Sequence, residues 1–307
     1  MAIMLRMLQK IGPWTEALQQ RYPGESIVTS TDEMVEMGIE PEAIDYIVGW
    51  KVKWHELHLY PNLKGVLLSS AGIDHLDWDV IPDDLPVVRL IDPSMTNEIA
   101  AYAVHWVVHF TRFFDRYRGQ QDTTTWQVEQ REHIKTVGVL GLGAIGTVVA
   151  DRMTDFDYPV VSWSRSAKDT PYGRHYVGAQ ELEEFFQAAD LVVNLLPLSD
   201  ATRHIVGAQQ LSALGDGVMI NAGRGGTIDT DALLTALNGD LHAAVLDVFE
   251  TEPLPDDSPL WNHPKVTITP HIAGETNPYT ATQVIAANID RINRDEEPYP
   301  KVTRTTY

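Results

Sequence analysis

The 307-residue chain is predicted to fold as an α/β protein with two doubly wound, mostly parallel-sheet domains. Short apolar runs alternate with helical stretches along most of its length. A glycine-rich turn, Gly141-Leu-Gly-Ala-Ile-Gly146, lies between the apolar run from Val137 and an Ala/Val-rich helical stretch. About 140 residues with strand and helix signals of their own precede that turn, so the domain it opens is inserted into another module or appended to one. With 44% hydrophobic residues the chain can bury a core in each.

In chain order, Met1 to Leu8 reads as a first strand. Its charge at Arg6, the polar Gln9-Lys10 behind it and the lack of a small-residue cleavage site argue against a leader. Apolar runs at Ile44 to Trp50, Leu63 to Ser70 and Pro86 to Ile91 extend a small, mostly parallel sheet. From Asn97 to Gln121 there is no proline, and Ile99, Ala103, Trp106, Val107, Phe110 and Phe114 recur at helical spacing. One long helix bridging the domains is expected there. Beyond the glycine turn, strands are expected at Val160 to Trp163, Leu191 to Leu196, Val218 to Ala222, Ala243 to Phe249 and Val266 to Thr269. The helix from Thr280 is expected to return the chain to the first domain, because the last residues are too few to fold alone.

Composition excludes several chemistries. Without cysteine there are no disulfides, no thiolate nucleophile and no Cys-ligated metal. A formal net charge of −20, from 23 basic and 43 acidic residues, argues against nucleic acid as a partner. An anionic ligand needs a local cationic pocket, and the acidic surface bears on solubility or habitat rather than activity. No uncharged apolar run approaches the roughly 18 residues that cross a bilayer, so no membrane partner is expected and the location reads as cytoplasmic.

The glycine turn is where a nucleotide pyrophosphate would bind. Gly141 permits the tight turn, Gly143 lets the backbone approach the phosphates, and Gly146 packs helix against strand. Leu142, Ala144 and Ile145 complete the turn, and the helix N-terminus supplies amides and a positive dipole end. About eighteen residues past Gly146, an NAD enzyme needs an acid to hold the ribose hydroxyls. This chain has Ser164, Arg165 and Ser166 there, followed by Lys168. Such a loop can receive a 2′-phosphate, so NADP(H) is the cofactor expected.

Arg224, Glu252 and His271 each fall just beyond an expected strand end in the second domain, although 28 and 19 residues separate them. In an open parallel sheet those ends share one crevice. Arg224, between glycines in Asn221-Ala-Gly-Arg-Gly-Gly226, presents a planar fork to a carboxylate. His271 follows Thr269-Pro270, whose proline holds the backbone extended. Glu252, before Pro253 in a stiff loop, can fix the tautomer of an imidazole and favour its charged form, giving an acid for a nascent alkoxide.

These residues resemble the D-isomer-specific 2-hydroxyacid dehydrogenases. The resemblance runs through Ser70-Ala-Gly-Ile-Asp74, the glycine turn, Leu195-Leu-Pro-Leu-Ser-Asp-Ala-Thr202, Asn221-Ala-Gly-Arg-Gly225, Leu246-Asp-Val-Phe-Glu-Thr-Glu-Pro253 and Pro270-His-Ile-Ala-Gly274. It implies a Rossmann cofactor domain, residues 98–280, inserted into a smaller flavodoxin-like substrate domain, residues 1–97 plus 281–307. It also implies that Arg224 binds the substrate carboxylate, His271 is the acid/base and Glu252 pairs with it. The cofactor would further meet Leu196, Pro197, Ala222, Gly223 and Asp247, the last near the nicotinamide amide. Substrate would meet the backbone of Ser70, Ala71, Gly72 and Ile73. Within the family, Arg112-Phe-Phe-Asp-Arg-Tyr-Arg118, Gln120-Gln121, Trp126 and Trp163-Ser-Arg-Ser166 are similar to the short NADPH-dependent glyoxylate/hydroxypyruvate reductases.

The resulting expectation is NADPH-dependent reduction of a small 2-oxo acid by a homodimer joined through its cofactor domain. Two alternatives stay open: a dinucleotide-sensing, corepressor-like binding protein, and a dehydrogenase for larger 2-oxo acids. Oxidation of formate or phosphite is a further one, and Glu252 argues against formate. Trp50, at the end of a first-domain strand, either walls the pocket or is a buried core aromatic. His105 and His109 are spaced for zinc but lack a third ligand, and His55 with Glu56 and His58 reads as a solvated face. No metal is expected.

Overall fold

The computed structural model describes residues 1–7, 11–50, 52–130 and 135–304. Of the expected first strand, Leu8 lies outside the described residues, as do Gln9 and Lys10 behind it. The chain divides into two compact units, Met1–Met95 with Thr276–Tyr307, and Thr96–Glu275.

The elements follow in order. β1 (Ala2–Arg6), α1 (Ile11–Arg21), β2 (Ser26–Val28), α2 (Thr31–Glu36), β3 (Tyr46–Gly49), β4 (Gly65–Leu68) and β5 (Val87–Val88) belong to the first unit. α3 (Pro93–Thr111) leads into the second, which holds α4 (Phe114–Asp122), β6 (Val137–Leu140), α5 (Ala144–Asp155), β7 (Val160–Ser164), β8 (His175–Val177), α6 (Leu182–Gln187), β9 (Leu191–Asn194), α7 (Ala208–Leu214), β10 (Val218–Asn221), α8 (Thr230–Asn238), β11 (Ala243–Leu246) and β12 (Val266–Ile268). α9 (Pro278–Ile292) and β13 (Lys301–Val302) lie in the first unit again.

The first unit's sheet has the order β13-β5-β4-β3-β1-β2, parallel except for β13 against β5. Strand alternation divides its core between two faces. Met4, Ile47, Val66 and Leu68 pack on one, while Ile3, Leu5, Val48 and Leu67 pack on the other. The second face is covered by Trp14 and Leu18 of α1 with Ala281, Ile285 and Ile289 of α9.

The second unit's sheet runs β12-β11-β10-β9-β6-β7-β8, wholly parallel. Its central strands β6, β9, β10 and β11 are buried on both faces, as a sheet covered on both sides requires. Val137, Val139, Val193, Ile220 and Val245 meet α3 and α5 through Val107, Val149 and Met153. Leu140, Val192, Met219 and Leu246 meet α6, α7 and α8 through Phe185, Leu211 and Leu233. From β6 the chain adds β7 and β8 on one side and then β9 to β12 on the other, so strand order reverses between β6 and β9, the switch point at which an α/β sheet opens a ligand crevice.

The long helix expected from Asn97 to Gln121 is two helices. The Thr111 hydroxyl donates back to the Val107 carbonyl at 2.7 Å, a bond that loosens a helix. The Phe113 amide then closes a tight turn on Phe110 at 3.1 Å, and Phe113 is left-handed with φ 61°. α4 restarts beyond it without an apolar stripe. β2, β8 and β13 were not expected, being two or three residues long and too short to show alternation. No described helix is long and apolar enough to cross a membrane.

Candidate active site

The glycine turn leaves β6 at the switch point. Gly141 has φ 104°, which disfavours any side chain. A Cβ on Gly146 would stand 2.1 Å from the Gly141 carbonyl oxygen, so helix and turn can approach only with glycine there. A Cβ on Gly143 would meet no protein atom within 4 Å. The fold therefore places no steric demand on Gly143, whereas a phosphate lying against this backbone would. Thr147 is the first amide of α5 with a helical acceptor, Gly143 at 2.9 Å. The amides of Ala144, Ile145 and Gly146 thus face the turn as donors, which fits a dinucleotide pyrophosphate.

β9 and β10 each end in a buried asparagine that sequence reasoning passed over. The Asn194 amide donates to Asn221 Oδ1 at 3.0 Å and to Thr227 Oγ1 at 2.7 Å, and its own oxygen accepts the Leu196 amide at 3.1 Å. Asn221 Oδ1 also takes the Gly223 amide at 3.2 Å. The signal was present as Val-Val-Asn and Met-Ile-Asn, apolar strands closing on the same polar residue. Through this lattice Leu196, Ala222 and Gly223 lie together at the strand ends, with the Ala222 amide on the Asn194 carbonyl at 3.1 Å. Pro197 follows, its carbonyl capped by Thr202 Oγ1 at 2.6 Å.

The same lattice carries Arg224. Its carbonyl accepts from Thr227 Oγ1 at 2.6 Å and Asn221 Nδ2 at 3.3 Å, and its Nη1 donates to the Gly223 carbonyl at 2.9 Å. The flanking glycines meet a steric demand of the backbone. A Cβ on Gly225 would fall 1.9 Å from the Phe249 carbonyl carbon and one on Gly223 2.7 Å from the Leu196 oxygen, so both make room for neighbouring backbone.

His271 and Glu252 meet directly. Glu252 Oε2 is 2.7 Å from His271 Nδ1, and Oε1 accepts the Phe249 amide at 2.9 Å. Partial burial opposes ionisation of Glu252. The His271 and Phe249 hydrogen bonds, with the charges of His271 and Arg224, outweigh it and hold the carboxyl below its usual 4.5. Nδ1 so occupied leaves Nε2 as the working nitrogen.

The extended course expected through Pro270 ends before His271, which is left-handed with φ 57°. A non-glycine residue there costs roughly 1–3 kcal/mol. Asp247 opposes that cost. Its carbonyl accepts the His271 amide at 2.8 Å, and its carboxylate accepts Thr269 Oγ1 at 2.6 Å and the amides of Ile272 and Ala273 at 2.8 and 2.9 Å. Tyr102, whose hydroxyl burial pushes up to about 12, stays protonated and donates to Thr269 at 2.8 Å. Asp247 is 1% exposed, and its carboxylate anchors the loop that carries His271.

At the end of β7, Arg165, Ser166 and Lys168 are exposed, and the Lys168 ammonium donates to the Leu142 carbonyl in the glycine turn. Ser164 differs from expectation. Its single proton goes to the Ser166 carbonyl at 2.7 Å, so this buried hydroxyl shapes the loop and has no proton left for a phosphate.

In the first unit, Trp50 directly follows β3 and is 39% exposed, its ring edge-on to His75 at 6.5 Å. The core tryptophans there are Trp14 and Trp54, which removes the buried reading of Trp50. Ser70 Oγ donates to the Gly72 carbonyl at 3.0 Å, curling the segment after β4. Ala71 and Gly72 are half-buried, whereas the Ile73 side chain joins the core, so only its backbone can face a ligand. His105 and His109 pack edge-on against Trp106 at 4.8 and 5.3 Å. His55, Glu56 and His58 lie on one short 3-10 helix, Trp54–Leu59, with Glu56 paired to Lys53.

A glycine turn at a switch point, with a guanidinium and a carboxylate–imidazole pair at neighbouring strand ends, defines a dinucleotide-dependent oxidoreductase. The family model described as D-isomer specific 2-hydroxyacid dehydrogenase, NAD binding domain, matches residues 104–273. The structure is similar to a D-isomer specific 2-hydroxyacid dehydrogenase from Xanthobacter autotrophicus Py2 in complex with NADPH and MES, at 34% identity over 97% of each chain with a TM-score of 0.89. It is also similar to the NADPH-dependent glyoxylate/hydroxypyruvate reductase of Sinorhizobium meliloti in complex with NADP and sulfate, at 28% identity over 98% of each chain and a TM-score of 0.89. A probable 2-hydroxyacid dehydrogenase from Rhizobium etli CFN 42, in complex with NADP, HEPES and L(+)-tartaric acid, matches at 27% identity over 99% of this chain and 98% of that one, with a TM-score of 0.88. The chain belongs to the D-isomer specific 2-hydroxyacid dehydrogenases.

Proposed function

We propose that the protein reduces a small 2-oxo acid of the glyoxylate or hydroxypyruvate type to the D-2-hydroxy acid with NADPH. The first unit would serve as substrate domain and the second as cofactor domain. The observation that carries the reading is the 2.7 Å contact of Glu252 with His271 in a chain of this family. When bound, the nicotinamide supplies a hydride to C2 of the substrate. Arg224 holds the substrate carboxylate through its planar fork. Glu252 accepts from His271 Nδ1–H and orients the ring, and the imidazolium gives its Nε2 proton to the carbonyl oxygen. The NADPH assignment rests on Arg165, Ser166 and Lys168, and on β7 ending in Ser164 where a ribose-binding acid would repel a 2′-phosphate. Two of the similar structures hold NADP and a third NADPH.

Assembly as a homodimer through the second unit is part of this proposal. Phe114, Trp126 and Val128 are exposed there, Trp126 at 99%, apolar side chains that a partner would cover. Light scattering that returned a monomeric mass would reject it.

The test is NADPH and NADH oxidation against glyoxylate, hydroxypyruvate, pyruvate, phenylpyruvate and branched 2-oxo acids, run beside His271→Gln. Turnover of the two small acids with NADPH preferred, cut by about two to four orders of magnitude in the variant, is expected. No turnover with any acid, despite tight NADPH binding, would favour a dinucleotide sensor.

A further inference from the structure

β7 and β8 are joined by only ten residues, 165–174, and these carry the cations assigned to the 2′-phosphate. The loop is tied at three places. Lys168 reaches the Leu142 carbonyl, the Tyr172 hydroxyl donates to Asp151 Oδ1 of α5 at 2.6 Å, and the base of the loop rests on His175. His175 is paired in register with Ser162, so its ring spans the two buried serines of β7 that point to the same side. Nδ1 is 2.9 Å from Ser162 Oγ and Nε2 is 2.9 Å from Ser164 Oγ.

The direction of each bond follows from counting protons. Ser164 spends its only proton on the Ser166 carbonyl, so its oxygen must accept from His175 Nε2–H. In the uncharged ring Nδ1 then accepts from Ser162. The result is a directed chain from Ser162 through His175 and Ser164 to the Ser166 carbonyl, with every proton assigned. It turns the Ser166 carbonyl inward onto the strand and leaves Arg165 and the Ser166 hydroxyl on the exposed side.

We propose that His175 is a positioning residue for cofactor selectivity, holding the Ser164–Ser166 turn in the form that receives a 2′-phosphate. This rests on the NADPH reading above. Without the imidazole, the Ser164 hydroxyl loses its donor and can turn away from Ser166, and the loop loses the geometry that distinguishes a 2′-phosphate from a free hydroxyl.

The experiment is calorimetric titration of the full-length protein with adenosine 2′,5′-bisphosphate and with AMP, for wild type, His175→Leu, His175→Gln and Ser162→Ala. The wild type should bind the bisphosphate more tightly. His175→Leu should weaken the bisphosphate about tenfold and AMP by no more than about twofold. His175→Gln, whose amide can replace Nε2–H, should recover most of the loss, and Ser162→Ala should fall between. Should His175→Leu fail to fold, Ser162→Ala is read in the same way. Equal loss on both ligands, or none on either, overturns the proposal and leaves the NADPH reading standing. A wild type that binds both nucleotides equally overturns both.

Discussion

Asp247 grips the His271 turn from two directions, its carbonyl on the His271 amide at 2.8 Å and its carboxylate on the amides of the next two residues. The left-handed backbone at His271 is thereby over-determined, and the imidazole is aimed by a buried anion that need not touch substrate. Asp247→Asn replaces one accepting oxygen with a donor facing a buried donor. It should lower stability to urea by about 1–3 kcal/mol, the cost of one such mismatch. It should also lower kcat by about one to two orders of magnitude, with the NADPH KM within about threefold of wild type. An NADPH KM raised tenfold at unchanged kcat would instead make Asp247 a cofactor contact.

Glu252 sets an acid limit. Its carboxyl titrates below the usual 4.5 because His271, Phe249 and Arg224 favour the carboxylate over the opposing effect of burial. A depressed carboxyl contributes stability that is complete above its unfolded value and is lost as pH falls through the lower folded one. The melting-temperature difference between wild type and Glu252→Gln should therefore be steady from neutral pH down to about 5 and close below 4.5. Both groups are partly exposed, so the difference should stay near 1 kcal/mol or less. Activity should respond more than stability, with reduction by the variant impaired most at high pH, where protons are scarcest. A difference that widened on acidification would reverse the assignment.

What could be read from sequence was what had a period or a fixed spacing. Buried strands such as Val137–Leu140 and the glycine turn declared themselves, as did Arg224, Glu252 and His271 by their places after strand ends. Residues whose roles depend on hydrogen bonds between distant segments did not. Asn194 and Asn221 looked like ordinary strand ends, Ser164 like a phosphate donor and His175 like nothing at all. The break at Phe113 was hidden because the apolar spacing runs on to Phe114 while a side-chain hydroxyl at Thr111 competes with the helix.

Arg224 is expected to recognise a carboxylate by shape as well as charge. Its backbone is fixed by Asn221 and Thr227, so a shorter or point-like cation cannot shift to compensate. Arg224→Lys should raise the KM for the 2-oxo acid by about tenfold or more and lower kcat, because the carbonyl is no longer held in line. Stability should change by no more than about 0.5 kcal/mol. Unchanged kinetics would assign Arg224 to the strand-end lattice alone.

Trp50 bears on substrate size. It stands at the carboxyl end of β3, on the same sheet as the segment beginning at Ser70 after β4, and at 39% exposure it is not part of the core. A tryptophan meeting the substrate there takes up volume that a larger side chain on the 2-oxo acid would need. Glyoxylate and hydroxypyruvate should then outperform phenylpyruvate in the wild type, and Trp50→Ala should shift kcat/KM toward phenylpyruvate by about 1–3 kcal/mol, the range over which apolar contacts discriminate size. Because the ring is not buried, the same variant should keep its stability within about 1 kcal/mol of wild type, which separates loss of a wall from loss of packing. A Trp50→Ala protein whose substrate ranking is unmoved, or a wild type that already favours phenylpyruvate, would remove Trp50 from the substrate site.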